Sequence, residues 1–154
     1  MKKEKTTGTL TSILQGTSAK NLDSFFEENT SSLIWEEKPF AAYMRTKIKE
    51  KNLTQQKVFL EAEISEGYGY KLIAEEKRTK QRDTVLRICI AAGFSLNETQ
   101  HALKLYGMPE LYVKIPRDAV LMTALNAGMT DVDQVDDLLM KYRCDKLVPC
   151  RYGE

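Results

Sequence analysis

Apolar residues in this 154-residue chain recur every three or four positions, and over no stretch of any length do they alternate. Phe40, Met44 and Ile48 lie four apart. Val58, Phe59 and Ala62 share one helical side, as do Val85, Ile88, Cys89 and Ala92, and again Val132, Val135, Leu139 and Tyr142. A period near 3.6 buries one stripe of a helix, whereas a half-buried strand needs a period of two. The chain is therefore expected to be all-α, with roughly eight short helices.

Helix boundaries are marked by caps and stops. "TLTSILQG" reads as a helix stopped by Gly16, and Ser18 is expected to cap "AKNLDSFFEEN", with Leu22, Phe25 and Phe26 as its apolar edge. The polar "TSSL" leads to Trp35 and on to Pro39, which suits the first turn of "PFAAYMRTKIKEKN". Asn52 is expected to stop that helix. Thr54 should cap "QQKVFLEAE", Ser65 the next helix, Asp83 "TVLRICIAA" and Thr130 "DVDQVDDLLMKYR". "SLNE" has capping-box spacing, in which Ser95 and Glu98 each satisfy a free backbone N–H. Gly93, Gly107 and Gly128 fall at helix ends, "MPELYVKI" reads as an extended connection, and Pro116 begins "PRDAVLMTALNA". On this reading residues 1–38 form an N-terminal helical arm and 39–107 the main domain. Residues 108–145 form a helical extension packed on it, and 146–154, with Pro149 and Gly153, a loose tail.

Composition narrows the function classes. No apolar run approaches the ~18–20 residues that a membrane-spanning helix needs, and no basic region followed by an apolar stretch marks a secretion signal. The three cysteines, Cys89, Cys144 and Cys150, do not suit a disulfide framework, so a reducing, cytoplasmic setting is expected. Net charge is +1, but residues 40–93 hold 11 Lys and Arg against 7 Asp and Glu. Only this middle third is basic enough to point to an anionic partner.

Most local motifs fail on context. "GYG" resembles a potassium-channel filter but has no membrane span around it. Gly67 and Gly69 do not complete a dinucleotide fingerprint and follow no strand. "DVDQVDD" lacks the central glycine and closing glutamate of a calcium loop, and acids in a first helical turn suit the helix dipole. His101 is the sole histidine, and the cysteines show no CxxC spacing that would make a zinc site with it. No nucleophile stands beside a base, so neither catalysis nor a cofactor is expected.

What remains is a short helix ("TQQKVFLEAE"), a tight turn ("EIS") and a second short helix from Glu66, with the basic "KRTKQRD" behind it. That is the spacing of a DNA-binding helix-turn-helix, whose second helix enters the major groove. "FAAYMRTKIKEKNLTQQKVFLEAEIS" and "KRTKQRDTVLRICIAAGFSLNETQ" resemble the phage-repressor-type (XRE-type) family in the "LTQ" opening of helix two, the Ile-Ser turn and the "KR…RDTVLRI…AAGFSL" exit. The likeness covers roughly residues 40–100, five helices in the family's order, and residues 101–147 resemble the helical extension of small bacterial members. The resemblance implies a sequence-specific transcriptional regulator of bacterial or phage type, acting on double-stranded DNA through helices at about 55–62 and 66–76. It implies Gln55, Glu66, Gly67, Tyr70 and Lys71 as base-facing residues, and Thr54, Lys77, Arg78, Lys80 and Arg82 as phosphate contacts. Such domains often bind two half-sites as dimers, so a homodimer stays open.

Helical geometry gives the same face. With Glu66 at zero, Tyr70, Ala74, Gly67 and Lys71 fall at about 40°, 80°, 100° and 140°. Tyr68, Leu72 and Gly69 fall on the other side. Gly69 would then let two helices approach closely, and Gly67 would let backbone approach a phosphate or base edge. Two departures from the family stand out. "LIAEEKR" lacks the glycine that normally ends helix three, and Glu61, Glu63, Glu66, Glu75 and Glu76 oppose phosphate binding. The acids keep a second reading open: a helix-turn-helix fold that binds a protein partner.

Overall fold

The computed structural model describes residues 4–33 and 38–150. Trp35 and Gly153, both used as sequence markers, lie outside the described residues. The chain divides into two compact units, one up to residue 37 and one from residue 38. The fold is all-α, with no strand among the described residues.

The first unit holds α1 (Thr7–Gln15) and α2 (Leu22–Asn29), the second introduced by a short 3-10 turn at Ala19–Asn21. Gly16 ends α1 as expected. Ser18 makes no side-chain cap. Phe25 is buried, while Leu22 and Phe26 are each 40% exposed, so only part of the expected apolar edge is covered. The Lys5 backbone N–H donates to Ser32 Oγ at 2.7 Å, and its ammonium donates to Asn29 Oδ1.

The second unit holds α3 (Pro39–Glu50), α4 (Gln55–Ala62), α5 (Glu66–Ile73), α6 (Arg82–Ala91), α7 (Leu96–Tyr106), α8 (Pro116–Asn126) and α9 (Val132–Lys141). The predicted stripes form its core. Phe40, Met44, Ile48, Val58, Phe59, Val85, Ile88, Cys89, Val135 and Leu139 are all buried around the central helix α6. Thr54 caps α4 by accepting from Lys57 N at 3.2 Å, and the Ser95–Glu98 capping box is closed at 3.1 and 2.9 Å.

Helix ends explain the missing glycine. Seven of them close with a left-handed residue followed by a paired return of N–H groups to the last turn, the Schellman arrangement. Gly93, Gly107 and Gly128 fill three of these positions; Asn52, Glu63, Glu75 and Arg143 fill four. Glu75, at φ 58°, stands where a glycine would end α5. The helix expected to reach residue 76 therefore stops at Ile73.

Several expectations need correction. Asp83 does not cap α6: the helix starts at Arg82, and Asp83 is buried in its first turn, where it accepts two bonds from Arg117 at 3.1 and 2.8 Å. Asp131, one residue later than Thr130, caps α9 by accepting from Asp133 N. Tyr142 is 58% exposed because α9 ends before it. The supposed loose tail is docked from Asp145 to Val148. Leu147 is 1% exposed, its N–H donates to Asp136 Oδ1, and the Val148 N–H donates to Asp83 Oδ2, both at 2.9 Å.

Candidate nucleic-acid interface

Residues Glu63, Ile64 and Ser65 join α4 to α5 in a three-residue turn. Glu63 takes the left-handed conformation (φ 60°, ψ 42°), and Ile64 turns its side chain into the core while its N–H returns to Phe59 O at 2.9 Å. Ser65 precedes α5 with extended backbone but contributes no side-chain cap, contrary to expectation.

The two sides of α5 separate as the wheel predicts. Tyr68, Gly69, Leu72 and Ile73 are buried; Glu66, Gly67, Tyr70 and Lys71 are exposed. Gly69 presses on α4, so closely that a β-carbon there would stand 2.6 Å from the Phe59 ring. Around Gly67 nothing stands within 4 Å of where a β-carbon would be. On the exposed side Gln55, Gly67, Tyr70 and Lys71 line a shallow concavity of about 430 Å³, α3 adds Arg45 to its wall, and Glu76, after α5, puts one acid there. Four of the five residues expected to face bases thus share one depression. Glu66 lies instead along a neighbouring concavity with Thr54 and the apolar Phe59, Leu60 and Ile64. Its carboxylate accepts from Gln56 Nε2 at 3.4 Å. Desolvation, then the neighbouring charge of Glu66 and a hydrogen bond to it, raise the pKa of Tyr70.

The expected phosphate cations divide into two groups. Lys77 and Lys80 are exposed. Arg78 donates to the Tyr106 carbonyl at the end of α7, pairs with Glu75 at 3.0 Å, and lies 4.2 Å from the Tyr106 ring centroid. Arg82 forks onto the carboxylate of Asp118, which is 1% exposed and also accepts from the Tyr112 N–H. Both arginines are thus engaged within the chain.

Sequence reasoning missed Arg45. It follows the core residue Met44, and only the packing of α3 beside α5 shows which wall it joins. Also missed was Arg87, a buried cation on α6 in the middle of an apolar stripe. Among the described residues no three His, Cys, Asp or Glu side chains converge as a metal site, and no helix is long and apolar enough to cross a membrane. His101 packs edge-on against Tyr43, with ring centroids 4.6 Å apart. Compared with protein-family models, curated proteins and solved structures, the chain matches none.

Proposed function

We propose that the chain is a cytoplasmic DNA-binding regulator of the XRE type, in which α4 and α5 are the helix-turn-helix and α5 enters the major groove of duplex DNA. One observation carries the reading: a side-chain-free patch at Gly67 lies beside Gln55, Tyr70, Lys71 and Arg45 in one concavity, on a helix whose other side is locked to Phe59. A recognition helix needs close approach, hydrogen-bonding groups and positive charge on one exposed side, and these residues supply them. Gln55 can serve adenine bidentately and Lys71 the acceptors of guanine. Lys77, Lys80 and Arg45 are placed for phosphates, which fix register without reading sequence. Two of the opposing acids are offset internally: Glu75 by Arg78 at 3.0 Å, and Glu63, more loosely, by Arg87 at 3.9 Å.

A protein-binding module is the second reading. It is favoured by Leu60, 76% exposed beside Glu61 along the apolar-lined concavity. Selection of bound sequences from random duplex DNA at two salt concentrations separates the two. Enrichment of a short motif, weakening steeply with salt, supports the regulator. No enrichment at low salt refutes it and favours the protein-binding module.

A further inference from the structure

The C-terminal segment and the end of α4 share one buried cation. Arg87, 3% exposed, directs its guanidinium at three backbone carbonyls: Nη1 donates to Ala62 O at 3.3 Å, Nη2 to Leu147 O at 3.0 Å and Nε to Val148 O at 2.8 Å. Its charge partner, Glu63, is 3.9 Å away with a side chain 60% exposed. A buried guanidinium is tolerated where its donors are satisfied, and here two of the three acceptors come from residues far along the chain. Ala62 O is one of the last-turn carbonyls that α4 cannot satisfy itself.

The segment is held on its other side independently of Arg87. Leu147 N donates to Asp136 on α9 and Val148 N to Asp83 on α6. Arg117 on α8 donates to the carbonyls of Asp145 and Lys146 at 3.0 and 3.1 Å. The turn that Arg87 supports is closed by left-handed Glu63 and by the return of the Ile64 N–H to Phe59 O at 2.9 Å, and Ser65 adds no side-chain cap to it.

We propose that Arg87 is a positioning residue through which segment 145–148 fixes the end of α4, so that DNA binding depends on that segment being docked. The DNA part rests on the reading given above. If the segment lifts, the guanidinium loses two of its three carbonyls and turns toward water, Ala62 O loses its donor, and the α4–α5 turn loosens while the rest of the unit stays packed.

Amide hydrogen exchange on the full chain tests this without DNA. Leu147→Glu should expel the segment, and Asp136→Ala should only weaken its hold. Both are expected to speed exchange in residues 59–66, by about tenfold or more for Leu147→Glu, the equivalent of losing one or two hydrogen bonds. Peptides from α3 and α7 should keep wild-type protection. A uniform rise across residues 38–150, or none in 59–66, would overturn the coupling. Should Leu147→Glu unfold the chain, Asp136→Ala alone decides by the same pattern. With a duplex that the wild type binds, both variants should bind more weakly, Leu147→Glu by about tenfold. Wild-type affinity in a variant with a loosened turn would overturn the proposal. A wild type that binds no duplex refutes the DNA reading, and the exchange pattern still decides whether segment 145–148 is coupled to the end of α4.

Discussion

Gly69 lies against the ring of Phe59 so closely that a β-carbon at residue 69 would sit 2.6 Å from two ring carbons. Phe59 is fully buried and also packs edge-on against Tyr70, with ring centroids 5.1 Å apart, so it has little room to yield. Gly69→Ala is expected to destabilise by about 1–3 kcal/mol, the usual cost of overpacking a core. Urea unfolding of wild type and variant measures it. An unchanged midpoint would mean that the contact gives way without cost.

Gly67→Ala should move stability the other way. The position is helical, and open space surrounds the new methyl. Restricting the unfolded chain should stabilise the variant by roughly 0.4–1 kcal/mol. DNA affinity should fall nonetheless, because the methyl fills the surface on which a base or phosphate would rest. A variant both more stable and equally tight in a DNA titration would remove Gly67 from the interface.

Glu75 and Gly107 make a matched pair of helix ends, both left-handed. For an L-residue that conformation costs roughly 1–2 kcal/mol, while glycine takes it freely but loses more backbone entropy. Glu75→Gly also removes a carboxylate oxygen, Oε2, that is buried without a hydrogen-bond partner, at the loss of the pair between the largely covered Glu75 and the exposed Arg78. It should stabilise by up to about 1 kcal/mol. Gly107→Ala should cost about that much. Thermal melts of the two variants should shift in opposite directions.

The helices were legible because their signals are local. The stripes at 40–48, 58–62, 85–92 and 132–139, the stops at Gly93, Gly107 and Gly128, and the Ser95–Glu98 box need only neighbouring residues to act. Cap identity was less legible where adjacent residues compete: Asp131 outdoes Thr130 one position along. Left-handed Glu63, Glu75 and Arg143 carry no composition signal. Least legible were contacts set by tertiary structure. Arg82 finds Asp118 and Arg87 finds Val148 across tens of residues with no periodicity, and such pairs turned an apparent basic loop and loose tail into structural parts. On the candidate interface the helical wheel placed Gly67, Tyr70 and Lys71 correctly on the exposed side, but it could not supply Arg45 from another helix.

Those pairings divide the basic loop by consequence. Arg82→Ala leaves Asp118 buried without its cation, and breaking a buried pair typically costs about 3–5 kcal/mol. Lys77→Ala and Lys80→Ala, at exposed positions, should leave the melting temperature almost unchanged. Each lysine variant should weaken binding to every duplex alike and flatten the salt slope by about one unit. A lysine variant that lost affinity for one sequence alone would instead be reading bases.

Acid should test the capping box of α7. Burial pushes the Glu98 carboxyl up, but the Ser95 N–H and the Lys51 ammonium, at 2.9 Å, outweigh it and leave the pKa below its ordinary 4.5. A folded-state pKa below the unfolded one contributes stability that is present above the unfolded value and lost as pH falls through the folded one. Glu98→Gln should therefore melt lower than wild type at pH 7, and the gap should narrow below about pH 4.5. A gap constant down to pH 2 would show that the carboxylate charge contributes nothing.

The most direct test of α5 as the groove-reading helix is a fluorescence titration of a selected duplex over a salt series, comparing wild type with Lys71→Ala. The expected result is a linear fall of log K with log salt, with a slope near −0.9 per phosphate contacted. Lys71→Ala should lose about 1–3 kcal/mol on the selected sequence and much less on a duplex altered at the base it reads. Equal affinity of the two proteins for both duplexes, or salt-independent binding, would contradict the account.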